Sequence, residues 1–144
     1  MECPMPTINT NDAKIIKEIF ENCKNIAIIG LSPDESKDSN KVAKYLQRQG
    51  FKIFPVYPKE ETILGEKVYR SLEEIPEQID MVDMFRKPSF ADELVEIAHK
   101  RGDVKYFWIQ LGIINDEAFK KATQYNMVAV QNKCTKIEHA RLYS

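Results

Sequence analysis

The residues with the most chemistry to offer sit in short polar stretches, each directly behind an apolar run. The first stretch is Gly30-Leu31-Ser32-Pro33. A glycine there lets backbone approach a bound group closely, and Ser32 supplies a hydroxyl. A helix beginning near Ser39, Asn40 and Lys41 would present free backbone N–H groups and the positive end of its dipole. Together these describe an anion site, although Ser32, Pro33 and Ser39 are also ordinary turn and cap residues. Gly30 stands alone, so the G-x-G-x-x-G fingerprint of dinucleotide sites is absent.

The second stretch is Tyr57-Pro58-Lys59, where a site for NAD commonly places an acid on the ribose diol. Here the acids begin only at Glu60. Lys59 would suit a ribose bearing a phosphate, and Tyr57 with Pro58 the face of an adenine; a solvated turn lysine is the plainer alternative. The third stretch, Phe85-Arg86-Lys87-Pro88, sets two cations behind a buried strand. Arg86 suits a bidentate phosphate contact, and Phe85 a pocket wall. In the fourth, Trp108 and Gln110 share one strand face. Gln110 suits a pocket lining, and Trp108 either that or the core. The fifth, Asn132-Lys133-Cys134-Thr135, holds a thiol with no histidine beside it in sequence. Pairing with His99 or His139 stays open, against the commoner inert buried thiol. Asp83, alone in a strand, is weak ground for catalysis. No acid/base constellation and no metal-ligand spacing is evident.

The elements that must position these stretches follow from periodicity. Ile15, Ile16, Ile19 and Phe20 share one face of a helix capped at Asn11 or Asp12, after an irregular arm over 1–10. Short apolar runs over 26–30, 51–56, 81–85, 106–110 and 127–130 read as strands buried on both faces. Helices are expected over 41–49, 89–101 and 116–124, with Asn115 as a cap and Gly50 and Gly102 as terminators. A capping-box helix is expected at Ser71 to Ile75, and a last helix over 137–142. The stretch 57–69 reads as loop. Strict alternation predicts parallel strands with helices on both faces, an α/β Rossmann-like three-layer sandwich. Ligands then bind beyond the carboxyl ends of the strands.

The 144 residues fit one domain, expected over 11–144. With 21 basic and 22 acidic residues, a broad nucleic-acid surface is not indicated. Cys3, Cys23 and Cys134 are odd in number and widely spaced, which suits a reducing cytosol better than a disulfide framework. No run is apolar enough to span a bilayer and no leader pattern is seen. A cytoplasmic chain without membrane or nucleic-acid partners is expected.

Six ordered blocks carry a resemblance: Ile26-Ala27-Ile28-Ile29-Gly30-Leu31-Ser32-Pro33, Phe54-Pro55-Val56-Tyr57-Pro58, Ile63-Leu64-Gly65-Glu66-Lys67-Val68-Tyr69, Asp80-Met81-Val82-Asp83-Met84-Phe85-Arg86, Trp108-Ile109-Gln110-Leu111-Gly112 and Ile137-Glu138-His139-Ala140-Arg141-Leu142. They resemble the small stand-alone CoA-binding domain proteins of bacteria and archaea, which are similar to the nucleotide-binding domain of the succinyl-CoA synthetase α subunit. The resemblance implies a Rossmann-like fold with coenzyme A, or an acyl-CoA, across the strand ends. Gly30, Ser32 and Pro33 in the loop with Leu31 would meet the phosphates, with Ser39 and Lys41 at the following helix. Tyr57, Pro58 and Lys59 would approach the adenosine, bordered by Phe85 and Arg86. Trp108 and Gln110 would lie towards the pantetheine. Tyr57 stands where the family often has Asn. In the synthetases, catalysis needs a phosphohistidine domain and an ATP-binding subunit, for which this chain is too short. A non-catalytic or accessory binding module is therefore expected. An NAD(P)-binding sensor or oxidoreductase, and an interaction subunit of a partner enzyme, are the alternatives. A protein partner or a homo-oligomer is left open.

Overall fold

The computed structural model describes residues 13–143. The expected arm, Cys3 and the caps Asn11 and Asp12 lie outside the described residues. Helix α1 (Ala13–Glu21) leads into β1 (Asn25–Ile29), α2 (Asp38–Arg48) and β2 (Lys52–Val56). Two short strands follow, β3 (Thr62–Ile63) and β4 (Glu66–Lys67), and then a 3-10 turn at Leu72–Glu74. The remainder alternates as β5 (Met81–Met84), α3 (Phe90–Arg101), β6 (Tyr106–Ile109), α4 (Asp116–Gln124), β7 (Val128–Val130) and α5 (Thr135–Tyr143).

Five strands form one parallel sheet in the order β2-β1-β5-β6-β7. Each apolar run is buried on both sides, which is why it shows no alternation in the sequence. Ala27, Ile29, Val82, Met84, Phe107 and Ile109 pack against α3 and α4 through Leu94, Val95, Ala98, Ala118 and Ala122. Ile26, Ile28, Met81, Trp108 and Val130 pack on the opposite face against α1 and α2. Each such large aliphatic side chain contributes about 1.5–3 kcal/mol on burial. From β1 the chain steps outward to β2 and then returns past β1 to β5. The helices after β1 and β5 therefore lie on opposite faces, and a crevice opens between the two strand ends.

Four local details depart from expectation. Helix α2 begins at Asp38, three residues early, because Ser39 sits inside the first turn and turns its hydroxyl back to the preceding loop. The expected loop over 57–69 contains the β3–β4 hairpin, whose turn residues Leu64 and Gly65 both have positive φ, 54° and 80°. Such φ pairs match the right-handed twist of paired strands. At the 3-10 turn, Ser71 makes no side-chain cap. Glu74 instead accepts the Arg70 N–H at 3.0 Å. Helix α5 starts at Thr135 rather than 137.

Candidate functional site

The crevice is built first by Gly30. Its φ is +87°, and a Cβ there would lie 3.0 Å from Arg86 Cδ and 3.1 Å from the Phe85 carbonyl. Glycine thus lets the Arg86 stem pass over the end of β1. On the side where a Cβ would stand, its close neighbours are the Arg86 stem and the Phe85 carbonyl. The Gly30 N–H donates to Val56 O at 2.9 Å, and the Phe85 N–H to Ile29 O at 2.8 Å, so the ends of β1, β2 and β5 are tied together.

Beyond Gly30 the loop is held by short polar links. The Ser32 N–H donates to Ser39 Oγ at 3.0 Å, and Asn40 Nδ2 donates to the Ser32 carbonyl at 2.9 Å. Ser32 Oγ accepts the Asp34 N–H at 3.1 Å. Asp34 accepts both the N–H and the hydroxyl of Ser36, and these bonds draw its carboxyl below the usual range. Ser32 and Ser39 therefore shape the loop. Leu31 is fully buried in the core, so only its backbone faces the crevice, and Pro33 is exposed. Helix α2 carries no side-chain cap over its first amides. The Asn40 Oδ1 is buried without a partner among the described residues.

On the β2 side, Tyr57 packs half-buried on the core, while Pro58 and Lys59 are exposed. This loop owes its shape to Arg70, which composition and spacing did not single out. Its Nη1 donates to the carbonyls of Tyr57, Lys59 and Glu60 at 3.1, 3.0 and 2.9 Å. Arg86 is exposed, with its guanidinium 4.9 Å from the centre of the Phe90 ring. It has no carboxylate partner among the described residues, so its donors remain available to an anion.

A cavity of about 380 Å³ opens between α2, the ends of β5 and β6, and the start of α5. Asp38, Lys41, Val42, Phe85, Gln110, Leu111, Ile113, Cys134, Lys136 and Ile137 line it. Small-molecule clefts commonly begin near this volume. Lys41, Phe85 and Gln110 thus share one hollow, whereas Gly30, Tyr57, Lys59 and Arg86 lie outside its lining. Behind its wall is a buried polar knot. Gln110 Nε2 donates to Asp83 Oδ1 at 2.7 Å and to Thr135 Oγ1 at 2.9 Å, and the Thr135 hydroxyl donates to Asp83 Oδ2 at 3.0 Å. Burial pushes the Asp83 carboxyl up to about 7, against the pull of those two hydrogen bonds. Asp83 is thus a partner that fixes Gln110, a role invisible while each residue was read within its own strand.

Of the two readings of Trp108, the structure bears out the core one, and the place towards the pantetheine that the resemblance implied is not supported. It is wholly buried, its ring lies 5.6 Å from Phe20, and its Nε1 donates to the Lys133 carbonyl at 2.8 Å. No ring face is left for a ligand, but the bond anchors the turn that carries Cys134. The thiol is half-buried, and burial pushes it up, outweighing the backbone N–H groups of Ile137 and Lys136. A Cys–His pair is not formed. His99 stacks on Tyr125 on the α3 side, ring centres 3.7 Å apart. His139 faces Phe20, Tyr45 and Phe51, with Nδ1 against the Tyr45 hydroxyl at 2.9 Å, and burial lowers its basicity.

Among the described residues no group of three or more acidic, cysteine or histidine side chains could hold a metal, and no helix is long and apolar enough to cross a membrane. The chain is 36% identical over 129 residues to the uncharacterized protein YneT of Bacillus subtilis, covering 87% of this chain and 92% of that one. It is 36% identical over 85 residues to the α subunit of the ADP-forming acetate–CoA ligase II of Pyrococcus furiosus, but spans only 19% of that protein's length and 58% of its own. Among solved structures, a hypothetical protein from Pyrococcus horikoshii superposes with a TM-score of 0.88 at 42% identity, covering 92% of this chain and 93% of that one. A protein from Thermus thermophilus does so at 0.86 and 28%, covering 92% and 99%. The model of the CoA binding domain family matches residues 24–140, nearly the whole described fold, and the chain belongs to that family.

Proposed function

We propose that this protein binds coenzyme A or an acyl-CoA as an accessory module, in the crevice and cavity at the carboxyl rim of its sheet. One observation carries the reading. At the crossover between β1 and β5, an arginine without a carboxylate partner among the described residues passes over a glycine turn, and the loop from that turn leads into a helix whose first amides carry no side-chain cap. That combination favours phosphate oxygens, which take both charge and backbone N–H donors. Family membership supports reading the phosphate as that of CoA. In this reading the diphosphate lies over Gly30, Ser32 and the start of α2. Lys59 and Arg86 serve the phosphorylated ribose, Tyr57 and Pro58 the adenine. The arm enters the cavity past Lys41 and Phe85 towards Gln110.

Isothermal titration with CoA and with dephospho-CoA tests it. CoA should bind at least about tenfold more tightly, because a charge-assisted phosphate contact contributes about 1.5–3 kcal/mol. Equal affinities would remove Lys59 and Arg86 from the site. Heat with NADPH but none with CoA would replace the reading by a nicotinamide one. The likeness to a ligase subunit supports a partner enzyme that receives the loaded domain. Capture of such a partner only when CoA is present would establish that link.

A further inference from the structure

The cavity wall holds one nucleophile that binding alone leaves unused. Cys134 lines the hollow with Gln110 and Lys136. Its neighbour Thr135 places Oγ1 2.9 Å from Gln110 Nε2. The backbone is fixed on both sides: Trp108 holds the Lys133 carbonyl at 2.8 Å, and the Glu138 N–H donates to the Cys134 carbonyl at 2.9 Å.

A second, independent observation points to what arrives there. Gln110 is 3% exposed, and its Nε2 is engaged by both Asp83 and Thr135, which fixes the amide's orientation. Its Oε1 has no partner among the described residues. Gln110 itself lines the hollow beside Cys134. A rigid acceptor in a mostly apolar wall selects an N–H donor such as a secondary amide. The arm of CoA carries secondary amides and ends in a thiol a few bonds beyond the last of them.

Resting on the CoA reading, we propose that Cys134 captures CoA covalently by exchange with the cofactor's disulfide form, while Gln110 Oε1 holds the arm by its amide. Cys134 loses its proton to water, and the Sγ thiolate attacks one sulfur of CoA disulfide. The bond from Sγ to that sulfur forms and the old S–S bond breaks. The second CoA leaves as a thiolate and takes up a proton. The Cys134 sulfur is oxidised and the departing CoA reduced, so no other oxidant is required. Burial keeps the thiol protonated and slow towards small disulfides in solution. A docked disulfide gains from proximity instead. Cys23, buried in the core and pushed far up by burial and then by Asp80 and Asp83, offers no comparable route.

Intact-mass spectrometry of the full chain with CoA disulfide, followed by peptide mapping, tests the capture; glutathione disulfide is the probe lacking the nucleotide. The expected product is a single CoA on Cys134, reversed by dithiothreitol. It should form about a hundredfold faster than the glutathione adduct, vanish in Cys134→Ser and persist in Cys3→Ser. Gln110→Leu should slow CoA capture about tenfold relative to glutathione. Equal rates with the two disulfides in the wild type, or an adduct that maps to Cys3, overturn the proposal. Titration of the wild type with CoA under dithiothreitol separates the two readings. Heat there with no adduct later overturns the capture alone, whereas neither heat nor adduct overturns the CoA reading as well.

Discussion

The two ends of the sheet carry hollows of nearly equal volume, about 380 Å³ at the carboxyl rim and about 370 Å³ at the amino rim, yet they differ in how their polar atoms are engaged. At the amino rim Asp80 Oδ2 accepts the N–H groups of Lys24 and Asn25, each at 2.9 Å, and Gln78 reaches Oδ1. Nearby, Arg101 donates to the carbonyls of Leu72, Ile75 and Glu77 and pairs with Asp103, which also takes the Ile79 N–H. At the carboxyl rim, among the described residues, Asn40 Oδ1 is buried without a partner and Arg86 has no carboxylate partner, and Leu111 and Ile137 are exposed at 58% and 44%. Buried polar groups are normally satisfied. The rim that leaves one open is the rim where we propose the cofactor sits. Concavity alone does not tell the two apart.

The largest effect expected from breaking this contrast is at the amino rim. Arg101→Ala strips the side-chain donor from the Leu72, Ile75 and Glu77 carbonyls and leaves the partly buried Asp103 carboxylate without its ion-pair partner, with the Ile79 N–H still bound to it. It should lower stability by about 3–5 kcal/mol in urea unfolding. A loss below about 1 kcal/mol would show that the knot is dispensable.

Asp83 sharpens the contrast from the other side. Its folded-state value of about 7 lies above that of an unfolded aspartate. Between about pH 4 and 7 the folded state therefore holds more protons than the unfolded state, and stability falls as pH rises through that window. The upper figure is about 4 kcal/mol. Unfolding midpoints over a pH series should show that decline in the wild type and a flatter profile in Asp83→Asn. Parallel profiles would mean that Asp83 does not titrate there.

Arg86→Ala should act on binding and not on the fold. CoA affinity should drop about tenfold to a hundredfold in calorimetry, with unfolding stability changed by no more than about 0.5 kcal/mol. A large stability loss with intact affinity would reverse its role. Gly30→Ala should lower stability by about 1–2 kcal/mol through the left-handed backbone. It should also weaken CoA by displacing the Arg86 stem. Unchanged affinity would separate the glycine from the arginine.

Much of this was legible beforehand because it is local. Continuous apolar runs marked all five strands, and Asn115 caps α4 as expected, accepting the Ala118 N–H at 3.0 Å. Gly102 ends α3 in a left-handed turn. The rim loops followed from the alternation of elements. The partners of single polar residues were not legible. Asp83, Gln110 and Thr135 are separated by up to 52 residues, and Arg70 reads as one more charged loop residue until its three carbonyls surround it.

By itself the sequence determined which residues are strand and helix, and hence that Gly30, Arg86 and Gln110 stand behind parallel strands. Backbone preference and apolar periodicity act over a few residues, so they can be read from order alone. Tertiary structure alone decided that Trp108 steadies Lys133, that Gln110 is gripped from behind, and that Cys134 lines the same hollow. Those outcomes depend on which strands become neighbours and on which face each side chain is buried, and both are set by the packing of the whole sheet.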